Sequence, residues 1–128
     1  MFKRYAILIT VAGIVFGAGF LAGQGQNKFG TPSTILHIVT VQWKADSTAD
    51  QQNAAIDGIK TMAGATPGIK NIWVKKLKVQ PAKFNTAFVI EFENKAAFDR
   101  YTDAPAHKAW EKLYLPIREE SSTHDVTN

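Results

Sequence analysis

Cysteine is absent from this chain. That excludes disulfides, a thiol nucleophile, a cysteine-held metal and a cysteine-linked lipid anchor. Histidine is scarce, with only three in 128 residues. His37, His107 and His124 show neither H-x-H nor H-x₃-H spacing, so no metal site is expected. An excess of one charge is missing as well. Of 15 Lys and Arg, Lys3 and Arg4 lie ahead of an apolar run, and the rest nearly balance 11 Asp and Glu. A remainder so close to neutral argues against a nucleic-acid partner. Lys70, Lys75, Lys76, Lys78 and Lys83 make the one basic cluster, which reads as a solvated strand face.

A long hydrophobic run does occur, once. Residues 5–23 carry no charge, and as a helix they would extend about 28 Å, close to the depth of a bilayer core. Residues 1–23 therefore read as a signal anchor, with a cleaved signal peptide as the alternative. Lys3 and Arg4 on the N-terminal flank place the following domain outside the cytoplasm, held at the cell membrane, or secreted or periplasmic after cleavage. Gly13, Gly17, Gly19 and Gly23 give two GxxxG spacings. Residues 24–33, with Gly25, Gly30 and Pro32, form a short linker, and residues 34–128 form the single folded domain.

Periodicity orders that domain. His37, Val39, Val41 and Trp43 alternate with Ile38, Thr40, Gln42 and Lys44, which predicts a strand over 35–44 with one apolar face. A helix follows, opened by Ser47 and Asp50 at capping-box spacing and marked by Ala55, Ile56, Ile59, Met62 and Ala63. Two further strands are expected over 69–79 and 84–93, joined by the short connection 80–83, the second burying Phe84, Phe88, Ile90 and Phe92. Asn94 can cap a helix that carries Ala97, Phe98 and Tyr101. Another begins at Pro105, with Ala106, Ala109, Trp110 and Leu113 on its face. The polar tail carries only a weak signal for a last edge strand and leaves His124 in solvent.

The order β-α-β-β-α-α-(β) predicts an α+β, ferredoxin-like split βαβ fold with an antiparallel sheet and helices on one face. Val74, Ala87 and Val89 make part of the other face apolar, so a second copy of the chain is expected to cover it.

Tyr101 and His107 stand six residues apart around Pro105. In one unbroken helix they would point about 120° apart; a break at the proline lets them converge. Histidine has the pKa of a general base near neutrality, and a phenol can hold a developing oxyanion. The blander alternative is that His107 locks the helix junction while Tyr101 packs over the proline. His37, Trp73 and Trp110 are candidate ligand-binding residues, and tryptophans on such elements equally serve as core or interface anchors.

"HIVTVQWK", "PGI" before the second strand, "FEN" closing the third and "AAFDRYTDAPAHKAW" together resemble the stress-responsive dimeric α/β-barrel (Dabb) family over about residues 34–126. The resemblance implies a homodimeric barrel built sheet to sheet. It also implies kinship with heat-stable plant stress proteins and with olivetolic acid cyclase, which closes a polyketide without a cofactor. In that enzyme the residues matching Tyr101 and His107 carry the chemistry, and the family's first-strand histidine falls on His37. Where the cyclase has a histidine just before the proline, this chain has Ala104, so the cyclase's own substrate is not implied. Two functions follow as expectations: a dimeric stress-associated module that binds a small hydrophobic ligand, or a cofactor-free lyase or isomerase. Related barrels that act as monooxygenases or bind haem offer a third, which nothing in the residues selects.

Overall fold

A computed structural model describes residues 30–128. The expected membrane segment, residues 5–23, and most of the linker lie outside the described residues. Among the described residues no helix is long and apolar enough to cross a membrane.

The predicted alternation of the first strand is met in β1, Ile35–Trp43, where Val39, Val41 and Trp43 are buried. Helix α1 spans Ala49–Gly64. Its cap lies one residue later than expected: Thr48 accepts from the Gln51 amide, and the Gln51 side chain accepts from the Thr48 amide. Glutamine reaches back over a full turn where the shorter Asp50 cannot, so the reciprocal pair forms at Thr48 and Gln51. Ser47 bonds locally to the Lys44 carbonyl instead.

Strand β2, Ile69–Trp73, is shorter than expected, and β3 covers Thr86–Phe92. The link between them is a long loop rather than a four-residue hairpin connection. The run of Lys75, Lys76 and Lys78 leaves the sheet early, where each ammonium stays hydrated, so this basic cluster is mostly a solvated loop and not a strand face. Helix α2, Lys95–Tyr101, is capped by Asn94, whose side chain accepts from the Ala97 amide at 2.9 Å. Helix α3, Pro105–Tyr114, runs through a 3₁₀ turn, Leu115–Ile117, into β4, Arg118–Val126. The weakly signalled tail is thus a nine-residue strand. Its residues alternate little in polarity because backbone pairing along β1, rather than apolar burial, holds it.

The sheet order is β2-β3-β1-β4 with every pair antiparallel, the ferredoxin-like α+β arrangement. All three helices cover one face. The core lies between that face, with Val39, Val41, Phe88, Ile90 and Phe92, and the inward stripes of the helices, with Ile59, Met62, Tyr101, Trp110 and Tyr114. Each such side chain contributes roughly 1.5–3 kcal/mol on burial. Helix α3 is turned relative to expectation: His107, Trp110 and Tyr114 are buried, while Ala109 and Leu113 remain exposed. Two aromatic rings remove more surface from water than Ala109 and Leu113 would, and they win the inner position.

The opposite face carries Leu36 and Ile38, paired with Glu91 and Val89, together with Trp73, paired with Val89; Val74, expected there, lies past the end of β2 and packs against the core instead. Nothing among the described residues covers this opposite face, and Trp73 is 49% exposed there.

Candidate active site under helix three

The chain bends between Tyr101 and His107. Helix α2 ends at Tyr101, three residues intervene, and Pro105 opens α3. Ala104, in front of the proline, is extended with ψ at 135°, the conformation that proline imposes on its predecessor. The redirected chain brings the two rings to 4.3 Å between centroids. Among the described residues no hydrogen bond joins them.

The His107 Nδ1 lies 3.1 Å from the carbonyl oxygen of Thr102. A carbonyl only accepts, so the proton of this bond sits on Nδ1, which leaves Nε2 as the lone-pair nitrogen of the neutral ring. Burial pushes the His107 pKa down, against smaller upward effects from the Thr102 carbonyl and Glu111. Burial also pushes the Tyr101 phenol upward, reinforced by Glu111. At neutral pH the pair is therefore an unprotonated imidazole beside a protonated phenol.

His37 enters from β1. Its ring lies 5.7 Å from that of Tyr101 and packs against Phe92 and Phe98. Its Nδ1 is 2.6 Å from Asp125 Oδ1, directly across the β1–β4 pair. A carboxylate likewise only accepts, so the bond fixes this ring's orientation and donor atom. The pairing of Asp125 with His37 has no local signal, because only the register of the polar tail against β1 brings the two together.

Around these groups lies a cavity of about 140 Å³ lined by His37, Tyr101, His107 and Trp110, with Phe88 and Val39 as its apolar floor. Trp110 donates its indole N–H to the Ala55 carbonyl at 2.8 Å and stacks on Tyr114 at 4.5 Å. Tyr114 is buried on the same wall, and its hydroxyl has no hydrogen-bond partner among the described residues. Glu111, Arg118, Ser121 and Thr123 complete the polar side. Of the candidate residues, Tyr101, His107, His37 and Trp110 meet at this cavity. Trp73 does not: its pairing with Val89 puts it on the other face of the sheet, where it suits an interface rather than this cavity. His124 is exposed, as expected for the tail.

A family model for the Stress responsive A/B Barrel Domain, Dabb, matches residues 35–128, which is the whole of the fold just described. The chain belongs to the Dabb family. No curated protein matches it. Among solved structures, the Dabb domain is similar to a dimeric ferredoxin-like protein of unknown function from Thermobifida fusca, at 22% identity and a TM-score of 0.66. That match covers 80% of this chain and 97% of the other. A Dabb family protein with a ferredoxin-like fold from Mesorhizobium loti is 23% identical with a TM-score of 0.64, over 74% and 96% of the two chains. A hydroxynitrile lyase from Passiflora edulis is 17% identical with a TM-score of 0.61, over 74% and 93%. At these identities the likeness of the Dabb domain to the three structures is one of fold.

Proposed function

We propose that this Dabb domain is a homodimer that binds a small hydrophobic carbonyl compound in the cavity under α3 and moves a proton on it without a cofactor, as a lyase or isomerase. The observation that carries this reading is the 4.3 Å approach of Tyr101 and His107 at the wall of a cavity with an apolar floor. His107 Nε2 takes a proton from the carbon beside the carbonyl. The electron pair left behind moves onto the carbonyl oxygen, where the Tyr101 hydroxyl donates a hydrogen bond to the enolate. Return of the proton to carbon completes the turnover; alternatively the enolate carbon attacks a second carbonyl, and the alkoxide so formed takes the proton back from His107. Trp110 and His37 bound the ligand, and Asp125 holds His37 in place.

Dimerisation through the uncovered sheet face is supported by its apolar residues Leu36, Ile38, Val89 and Trp73, and by the dimeric description of the Thermobifida fusca relative. Residues 5–23, as a signal anchor, would hold the domain at the outer side of the cell membrane; protease accessibility in intact cells tests that placement.

The reaction is tested with acetophenone in D₂O, following deuterium entry at its methyl group by proton NMR. Wild type is expected to exceed the background rate, His107→Gln to fall to it, and Tyr101→Phe to lose about 10²-fold. Saturable binding of acetophenone with exchange at the background rate would reduce the function to binding alone. That narrower reading, a dimeric stress-associated module, has in its favour that no hydrogen bond joins Tyr101 and His107 among the described residues.

A further inference from the structure

The polar side of the cavity holds charge that proton transfer on a neutral ketone does not use. Along β4, the residues paired with the cavity face of β1 are Asp125, Thr123 and Ser121, opposite His37, Val39 and Val41. Simple alternation would next place Glu119 on that face. A bulge between Gln42 and Trp43 breaks the alternation: Gln42 pairs with Glu120, but Trp43 pairs with Arg118. A bulge of this kind re-aims a side chain. Here its effect is to put a cation, not an anion, on the cavity wall.

Arg118 has no carboxylate partner among the described residues. Its only side-chain hydrogen bond is to Ser121 Oγ at 3.4 Å, and its guanidinium lies 5.3 Å from the Tyr114 ring centroid. Tyr114 supplies the second, independent observation. It is 5% exposed, and its buried hydroxyl has no partner on the same wall. The acidic side chain of this wall, Glu111, has the Lys108 ammonium 3.7 Å away as its cationic partner; the neutral His107 ring 3.8 Å from it adds no charge. A guanidinium without a carboxylate and a phenol without a hydrogen-bond partner are two donors that match the two oxygens of a carboxylate.

We infer that Arg118 and Tyr114 form an anion-reading end of the cavity, and that its ligand is a compact carbonyl compound bearing a carboxylate, such as a small aliphatic or aromatic keto acid. This deepens the proposed function and rests on the same cavity. Size limits the class: a cavity of about 150 Å³ holds benzene, and the 140 Å³ found here fits one ring or a short chain beside Tyr101 and His107. Held at Arg118, such a ligand would turn its carbonyl toward the tyrosine and histidine.

The test uses benzoate and benzamide, equal in shape and different in charge, titrated onto the protein and followed by amide chemical shifts. Wild type is expected to bind benzoate about ten-fold tighter than benzamide, the effect of one charge-assisted contact. Arg118→Gln should abolish the preference while keeping benzamide binding, and Tyr114→Phe should weaken benzoate alone. Lys112→Gln, which removes an exposed charge on α3, should leave the preference intact. Equal binding of the two probes by wild type overturns the anion site and leaves the proposed function standing. An equal loss of preference in Lys112→Gln overturns it in favour of diffuse charge. Failure of both probes to bind removes the cavity as a ligand site, and with it both readings.

Discussion

Tyr114→Phe removes one buried, unpartnered oxygen from the aromatic wall of the cavity, and the structure predicts that the ligand-free protein becomes more stable. Leaving a buried hydroxyl without a partner costs about 1–3 kcal/mol. Losing the oxygen also removes a few dispersion contacts of about 0.1–0.2 kcal/mol each, together about 0.5 kcal/mol. The stack on Trp110, the edge contacts to Trp43 and Phe88 and the Arg118 guanidinium over the ring all involve atoms that phenylalanine keeps. The net gain is therefore about 0.5–2.5 kcal/mol, at roughly 4–8 °C in Tm for each kcal/mol in a domain of this size. The assay is urea and thermal unfolding of wild type and variant at equal protein concentration, since a dimer's stability depends on it. A loss of more than about 1 kcal/mol in the variant would refute the reasoning, because it would mean that the hydroxyl is satisfied in the folded protein. A gain in stability together with weaker benzoate binding would show a polar group kept for its ligand at a cost to the fold.

Three other predictions concern different parts of the molecule. Gly68 has φ of +93°, and a Cβ there would overlap the Ala97 Cβ; Gly68→Ala should cost roughly 2–4 kcal/mol in urea unfolding, and adding Ala97→Gly should restore only the steric share. His107 has a pKa lowered by burial, so the unfolded chain binds more protons than the folded one once pH falls below about 6.5. Stability should decline from there down to the folded-state pKa, and His107→Gln should flatten that part of the pH profile; an unchanged profile would place the histidine in free contact with water. Trp73→Glu puts a charge on the uncovered sheet face, at its β2 edge, and should convert a dimer to monomers in analytical ultracentrifugation, with the helix-side cavity and its benzoate binding left to report whether the partner chain is needed.

Much of the site was legible because its parts are local. Alternation in 35–43 assigns His37 to the same face as Val39 and Val41, and the proline between Tyr101 and His107 announces a break that redirects α3. Asn94 announced its cap for the same reason: the bond spans three residues. Legibility fell where two segments compete for one role. The Ser47–Asp50 and Thr48–Gln51 pairs have the same spacing, and only the reach of the glutamine side chain decides between them. On α3 the small residues and the aromatic residues define overlapping stripes, and the sheet selected the stripe that buries more area.

Residue types and short spacings by themselves determined the element order, the apolar face of β1 and the convergence of tyrosine and histidine, since each depends on backbone geometry within a few residues. Tertiary structure alone decided what surrounds them. Backbone pairing with β1 made a strand of the polar tail and set Asp125 beside His37. Register with β3 sent Trp73 to the opposite face of the sheet. A single bulge between β1 and β4 exchanged Glu119 for Arg118 at the cavity wall, and that exchange, invisible to any local pattern because it depends on two strands 75 residues apart counted from Trp43 to Arg118, puts a cation on a wall that also carries Glu111.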